Sequence, residues 1–134
     1  MIAVDTSLVV ALFASWHEAH ASAREVVPDE VHLPAHVLLE SYSVLTRLPP
    51  PHRAPADVVE AFLRRRFQAK LLTLPGRGHR SLLKAAQEGG ISGGGIYDAV
   101  IAATAKHAEA TLLTRDHRAV RVYETIGVTY RMVR

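Results

Sequence analysis

Four acidic residues border apolar segments that are spread over nearly the whole chain. Asp5 and Asp116 each follow a short apolar run, and Glu40 and Asp98 lie in apolar segments with helical spacing. An unpaired charge beside a core costs several kcal/mol, so such acids need a cap, an opposite charge or a metal ion. A divalent cation held by carboxylates can orient a phosphate, activate a water molecule and stabilise a leaving oxygen. The acids therefore indicate metal-assisted hydrolysis of a phosphodiester.

Short apolar runs alternate with helical patterns along the chain. They predict strands at Ile2–Val4, 31–33, 71–74, Thr111–Thr114 and 128–130. The spacing of apolar residues predicts helices over 8–13, 17–27, 34–48, 56–67, 78–88, 96–108 and 118–126, the first capped by Thr6 or Ser7. Helices that separate the strands are typical of parallel sheets. The chain is thus expected to form one α/β domain over residues 1–134, a three-layer sandwich with a mainly parallel central sheet.

The predicted sheet would bring the four acids together, because sites in open parallel sheets form beyond the carboxyl ends of the strands. Asp5 and Asp116 follow two such ends. Asp98 starts a helix after a glycine-rich segment, and Glu40 lies about two turns into another helix. Taken singly, the aspartates could be helix caps or first-turn acids, and Glu40 a solvated residue at the edge of a helix face. Convergence at one rim favours a shared Mg²⁺ or Mn²⁺ ion, since hard cations prefer carboxylate oxygen.

The composition is that of an ordinary globular domain, with 49% hydrophobic and 22% charged residues. The chain has no cysteine, which excludes thiolate metal sites and cysteine nucleophiles. No apolar run is long enough to span a bilayer and the first residues lack the pattern of a signal peptide, so we expect a cytoplasmic protein with no membrane partner. The net charge of +3 suits a polyanionic partner without identifying one.

Other candidate groups are weaker. His17 and His20 are three residues apart, whereas a zinc-protease helix requires histidines four apart. His36 is expected in polar packing rather than in metal binding. Arg115 adjoins the acidic rim, where it could either offset the charge of a phosphate or pair with one of the acids. Trp16 is expected in the core, or in an apolar groove that a partner fills.

A phosphatase or phosphoacceptor domain also begins with a strand and an aspartate. The haloacid-dehalogenase pattern needs a second aspartate two positions after the first, where this chain has Ser7. A receiver domain needs its phosphoacceptor after the third strand, where the chain has Leu74, Pro75 and Gly76. Both classes therefore fit the sequence poorly.

Four motifs match one known family in their order and spacing. They are Val4-Asp5-Thr6-Ser7, Leu39-Glu40-Ser41, Gly94-Gly95-Ile96-Tyr97-Asp98-Ala99 and Leu113-Thr114-Arg115-Asp116. Over essentially its full length the chain resembles PIN-domain ribonucleases, specifically the VapC toxins of bacterial toxin–antitoxin modules. The resemblance implies a PIN fold, Mg²⁺ or Mn²⁺ dependence and endonucleolytic cleavage of RNA. It also implies inhibition by a cognate antitoxin, and a homodimer that assembles further with this antitoxin.

Carried over to this chain, the resemblance implies four ligands for the metal ion or its waters: Asp5, Glu40, Asp98 and Asp116. It also implies that Thr6 or Thr114 steadies these acids through hydrogen bonds. The chain departs from the family at His117, where many relatives have an aromatic residue. Two further functions stay open. One is a PIN-like module that has lost catalysis and only binds RNA or protein, and the other is a PIN nuclease of RNA processing without a toxin role.

Overall fold

A three-stranded parallel sheet forms the centre of the computed structural model, which describes all residues from 1 to 134. β1 (Ile2–Val4) pairs with β2 (Thr111–Thr114), and β2 pairs with β3 (Tyr130–Met132), in the order β1-β2-β3. Ala3 is aligned with Leu112, and both are fully buried. Runs of buried residues are expected in a parallel sheet whose two faces are covered by helices.

Seven helices pack around this sheet: α1 (Thr6–Phe13), α2 (His20–Val26), α3 (Ala35–Thr46), α4 (Ala56–Arg66), α5 (Gly76–Glu88), α6 (Gly95–His107) and α7 (Val120–Ile126). α1 packs on α2 and α3, whereas α6 packs on α5 and α7. Both α1 and α6 contact β2. The predicted α/β class with a parallel central sheet is thereby confirmed.

The strands predicted at 31–33 and 71–74 are reduced to single bridges. His32 forms one parallel bridge to β1, and Pro34 forms another to Leu72. Pro34 has no N–H to donate, and α3 begins at the next residue, so the pairing cannot continue. The prediction of two regular strands here is therefore wrong, although both segments extend the parallel arrangement beyond β1.

Local turns shift three further boundaries. α2 begins at His20 and α7 at Val120, later than predicted. In each case a side chain first closes a turn, because His17 Nδ1 and Asp116 Oδ1 each accept the backbone N–H two residues on, at 3.0 Å. β3 also starts two residues later than predicted. The chain leaves α7 through Gly127, whose φ of +86° is the left-handed conformation that glycine adopts readily at helix ends.

The hydrophobic core joins the sheet to the inward faces of the helices. Phe13 belongs to its edge and packs edge-to-face on Phe62, with ring centroids 5.1 Å apart. Trp16 lies outside the core, with 49% of its surface exposed, so the prediction that it is a core residue is wrong. It stands in the connection between α1 and α2, where its ring stacks on His52. None of the helices combines the length and the apolarity needed to cross a membrane.

Candidate active site

A polar cleft of about 640 Å³ opens beyond the carboxyl ends of β1 and β2. It is lined by Thr6, Ser7, Val10, His17, Glu40, Val44, Asp98, Arg115, Asp116 and Arg118. Three of the four predicted acids face this cleft together, as the parallel arrangement predicts. A second sizeable groove, between α3 and α4, is mainly apolar and contains none of the four acids.

Asp5, the fourth acid, lies behind the wall of the cleft and is only 2% exposed. It is the N-cap of α1, because its Oδ1 accepts hydrogen bonds from the backbone N–H of Ser7 at 3.1 Å and from the Ser7 hydroxyl. The prediction of Thr6 or Ser7 as the cap is therefore wrong. Asp5 Oδ2 accepts from the hydroxyls of Thr114 and Tyr123. Both carboxylate oxygens are thus occupied by donors of the protein itself.

Burial raises the pKa of Asp5, even though its hydrogen bonds to Ser7, Thr114 and Tyr123 act in the opposite direction. Burial and the nearby charge of Asp5 raise the pKa of Tyr123 well above its usual range. The Tyr123 phenol consequently keeps its proton and remains a hydrogen-bond donor to the carboxylate.

Two hydroxyl groups connect Asp5 to the end of β2. The Thr114 hydroxyl donates to Asp5 and accepts the backbone N–H of Asp116 at 3.0 Å. The Ser7 hydroxyl donates to Asp5 and accepts the backbone N–H of Arg115 at 2.9 Å. This network fixes the start of α1 against the residues that carry Asp116 into the cleft.

Glu40 is held at the cleft by residues from two helices. The Thr6 hydroxyl, at the start of α1, donates to Glu40 Oε1. His36 Nε2, one turn earlier on α3, lies 3.6 Å from Glu40 Oε2. The polar packing expected for His36 is thus observed. Thr6 thus donates a hydrogen bond to one of the four acids, the kind of contact that the family resemblance implies.

Asp98 carries the clearest sign of accumulated negative charge. Its pKa is raised to about 6, chiefly by burial and further by the charges of Asp116, Glu40 and Asp5. Arg118 acts in the opposite direction. Its guanidinium lies 3.6 Å from Asp116 but is almost fully exposed, so it offsets little of the charge.

The donor set fits a hydrated hard cation. No three acidic or histidine side chains converge closely enough to hold an ion by themselves. All the acids that face the cleft nevertheless offer oxygen, which Mg²⁺ and Mn²⁺ prefer. Mg²⁺ usually keeps several waters and binds through only one or two carboxylates. One or two of Glu40, Asp98 and Asp116 could ligate such an ion directly, while the remaining acids bind its waters.

Arg115 pairs with none of the four acids. Its guanidinium lies 3.8 Å from Glu18, which is 85% exposed, and its Nε is buried without a hydrogen-bond partner. A contact this long and exposed stabilises little. Of the two roles considered for Arg115, pairing with a cleft acid is therefore not observed, and its positive charge lines the cleft with only a weak partner.

Sequence reasoning missed several residues of the site. Tyr123 lies 118 residues from Asp5 in the chain, and no motif marks it as a partner of an acid. His17 and Arg118 line the cleft only because the turns before α2 and α7 bring them there. His117, where the chain departs from its family, is exposed and does not line the cleft.

Comparison with known proteins agrees with the fold and the motifs. The profile of the PIN domain matches residues 2–125. Ribonuclease VapC40 of Mycobacterium tuberculosis is 47% identical over 133 residues, which cover 99% of each chain. The structure of VapC20 from Mycobacterium tuberculosis, a sarcin-ricin loop cleaving toxin, has a TM-score of 0.71 at 20% identity, over 90% of this chain and 93% of that one.

The structure of VapBC2 from Rickettsia felis, bound to a DNA fragment from its promoter, has a TM-score of 0.70 at 14% identity and covers 100% of both chains. At such low identities these structures establish the fold, while the family is established by the domain profile and by the closely similar VapC40 sequence. The chain belongs to the PIN-domain family and, within it, to the VapC ribonucleases.

Proposed function

We propose that this protein is an Mg²⁺- or Mn²⁺-dependent endoribonuclease, the toxin of a toxin–antitoxin module, which hydrolyses RNA phosphodiester bonds in the acidic cleft. The convergence of Glu40, Asp98 and Asp116 on one open cleft carries the proposal. Their repulsion contributes to the raised pKa of Asp98, so a bound cation would relieve charge that the protein leaves uncompensated. Membership of the PIN family and the similarity to Ribonuclease VapC40 support RNA as the substrate.

The proposed ligands are Asp5, Glu40, Asp98 and Asp116. The last three face the cleft and would hold the ion or its waters directly. Asp5 would reach the ion only by exchanging one of its hydrogen bonds, and otherwise contributes through its negative charge. When bound, the ion would supply Lewis acidity and an activated water molecule.

The surrounding residues orient these acids and the phosphate. Thr6 holds one oxygen of Glu40, and Thr114 fixes the backbone of Asp116. Arg115 lines the cleft, where its guanidinium charge would offset the charge of the phosphate. The Ser7 hydroxyl oxygen accepts the backbone N–H of Arg115 at 2.9 Å while its proton is donated to Asp5, so both its donor and its acceptor capacity are used in the network that supports the cleft. Direct attack by water therefore fits the site better than a covalent enzyme intermediate.

The proposal includes protein partners. The similarity to VapC ribonucleases and to the VapBC2 structure supports a cognate antitoxin that inhibits this chain, and a homodimer that assembles further with it. We expect light scattering to give the mass of a dimer for the purified chain. Co-expression with its cognate antitoxin should suppress RNA cleavage. A monomer at all concentrations would contradict the dimer.

The metal-dependent nuclease is tested with total bacterial RNA. The purified chain and its Asp98→Asn variant are incubated with Mg²⁺, with Mn²⁺ or with EDTA, and new 5′ ends are mapped by sequencing. We expect discrete cuts by the parent with either metal ion, and none in EDTA or with the variant. Cuts of equal number in EDTA would contradict the metal dependence. Binding of RNA without any cut would favour a silent binding module.

A further inference from the structure

Two exposed aromatic rings are each stacked on a histidine. The ring of Tyr97 lies parallel to that of His36, with centroids 5.2 Å apart and an angle of 3° between the planes. The ring of Trp16 lies 3.9 Å from that of His52 at an angle of 29°. Tyr97 is 54% exposed and Trp16 is 49% exposed. Each pair therefore combines a ring of fixed orientation with a surface open to solvent.

The Tyr97–His36 pair stands beside the carboxylates. Tyr97 directly precedes Asp98 on α6, and His36 lies within 3.6 Å of Glu40 on α3. The two helices thus present a stacked pair at the edge of the cleft where Asp98 and Glu40 face it.

The Trp16–His52 pair stands at the part of the cleft formed by His17. The rings of Trp16 and His17 have centroids 5.9 Å apart, and His17 lines the cleft together with Arg115. His52 comes from the connection between α3 and α4. One aromatic pair therefore lies on the Glu40 side of the cleft, and the other lies on its His17 side.

The charges of the cleft suit a nucleic acid strand laid along it. Arg115 lines the cleft with only a 3.8 Å contact to exposed Glu18, and Arg118 also lines the cleft and is 94% exposed. Guanidinium groups bind phosphate oxygens strongly. Aromatic rings stack on bases of any sequence, but only where the bases are unpaired and can leave their own stack.

We propose that Tyr97 and Trp16 are base-stacking platforms that hold two unpaired bases of the RNA substrate beside the acidic cleft. This inference rests on the proposed ribonuclease function and extends it to two binding residues outside the lining of the cleft. Each histidine lies against its partner ring, and about half of the surface of Tyr97 and of Trp16 stays exposed to solvent, where a base could stack. A ring that is already held in place loses little conformational entropy when a base binds.

The chain offers a direct spectroscopic test, because Trp16 is its only tryptophan. The full chain is titrated with an unstructured 12-nucleotide RNA in Ca²⁺, and a gel confirms that the strand stays intact. We expect saturable quenching of the tryptophan fluorescence by this strand. A fully paired RNA hairpin with the same number of nucleotides should give little quenching. Equal quenching by both RNAs would overturn the stacking of Trp16 on an unpaired base.

Variants locate the stacking contacts. Binding of fluorescein-labelled RNA is measured by anisotropy for Tyr97→Leu, Trp16→Leu and the control Tyr42→Leu. Tyr42 is 41% exposed and lies in the apolar groove between α3 and α4. Stacking on one base predicts affinity losses of about 5- to 150-fold for each of the first two variants. Tyr42→Leu and Tyr97→Phe should bind within about twofold of the parent. Circular dichroism confirms that each variant is folded.

Abasic nucleotides separate stacking from general damage. An abasic position that weakens binding to the parent should have no further effect on the variant that lacks the matching ring, which is the signature of a direct contact in a double-mutant cycle. If the abasic position and the leucine substitution weaken binding independently of each other, the assignment of a stacking contact is overturned. Unchanged RNA affinity in both leucine variants, together with lost binding of a protein partner, would assign the rings to a protein interface instead and overturn the proposal. If RNA binds as expected but is never cut with Mg²⁺ or Mn²⁺, the nuclease function fails while the stacking site stands.

Discussion

The hydroxyl of Tyr123 lies 2.7 Å from Asp5 Oδ2, and both side chains are buried. Thr114 donates to the same oxygen, and two donors from Ser7 occupy the other. A buried carboxylate needs such donors because it has lost its hydration. Asp5 therefore ties α1, β2 and α7 together beneath the cleft. Through Thr114 it also fixes the backbone that carries Asp116 into the cleft.

Removing the hydroxyl of Tyr123 should destabilise the fold. In Tyr123→Phe the ring still fills its place, but Asp5 loses one donor. Hydrogen bonds to charged groups contribute about 1.5–3 kcal/mol, so urea unfolding should show a loss of this size. Tyr130→Phe is the matched control, because its hydroxyl bonds Glu124 at the exposed surface and its loss should change stability far less. A Tyr123→Phe variant as stable as the parent would contradict the role given to this bond.

Thr114 should affect both stability and activity. Thr114→Val keeps the shape of the buried side chain but leaves Asp5 and the backbone N–H of Asp116 each without one partner. We expect a loss of about 1–3 kcal/mol in the free energy of unfolding. RNA cleavage should fall about 10- to 100-fold, the usual effect of losing a group that orients metal ligands. Thr114→Ser keeps the hydroxyl and should recover most of the activity, and failure to do so would point to packing instead.

The raised pKa of Asp98 predicts how the stability of the metal-free protein depends on pH. Between about pH 4 and pH 6 the native state holds a proton on Asp98 that the unfolded state has released. Stability should therefore fall as pH rises through this window and then level off. The burial of Asp5 shifts its pKa in the same direction and adds to the trend.

Asp98→Asn isolates this contribution in EDTA. The rise of the pKa from 3.8 to about 6 corresponds to about 3 kcal/mol. Solvent screening of this partly exposed carboxyl reduces the expected gain in stability to about 1–2 kcal/mol at pH 7. The gain should vanish below about pH 4, where Asp98 is protonated in both states. Asp57→Asn, at an exposed position on α4, should show no such dependence. An Asp98→Asn variant that is less stable than the parent at pH 7 would contradict the predicted gain in stability.

Mg²⁺ should stabilise the parent against thermal unfolding. An ion that binds only the native state at a hundred times its Kd adds about 2.7 kcal/mol. The effect should be larger at pH 7.5 than at pH 5.5, because protons on Asp98 compete with the ion. A monovalent salt of equal ionic strength serves as the control. The absence of any Mg²⁺-dependent shift in Tm at pH 7.5 would count against a site formed by the folded chain.

The arrangement of the cleft was largely predictable because it follows from topology. Residues after parallel strands share one edge, so Asp5 and Asp116 had to approach each other once the strands were recognised. Local pattern could not show that Asp5 would be covered, because Tyr123 and Thr114 reach it from distant parts of the chain. Local pattern could not show the exposure of Trp16 either, because its stacking on His52 depends on how the α1–α2 connection meets the α3–α4 connection.

Single-turnover cleavage by acid-to-amide variants tests the central claim most directly. An RNA containing one mapped cut is incubated with excess parent, Glu40→Gln, Asp98→Asn, Asp116→Asn or Asp57→Asn, each with Mg²⁺. Because removing a metal ligand costs several kcal/mol of transition-state stabilisation, each cleft variant should cut at least about a hundredfold more slowly than the parent. Asp57→Asn should cut at the parental rate. Parental rates in all three cleft variants would contradict the assignment of the acidic cleft as the active site.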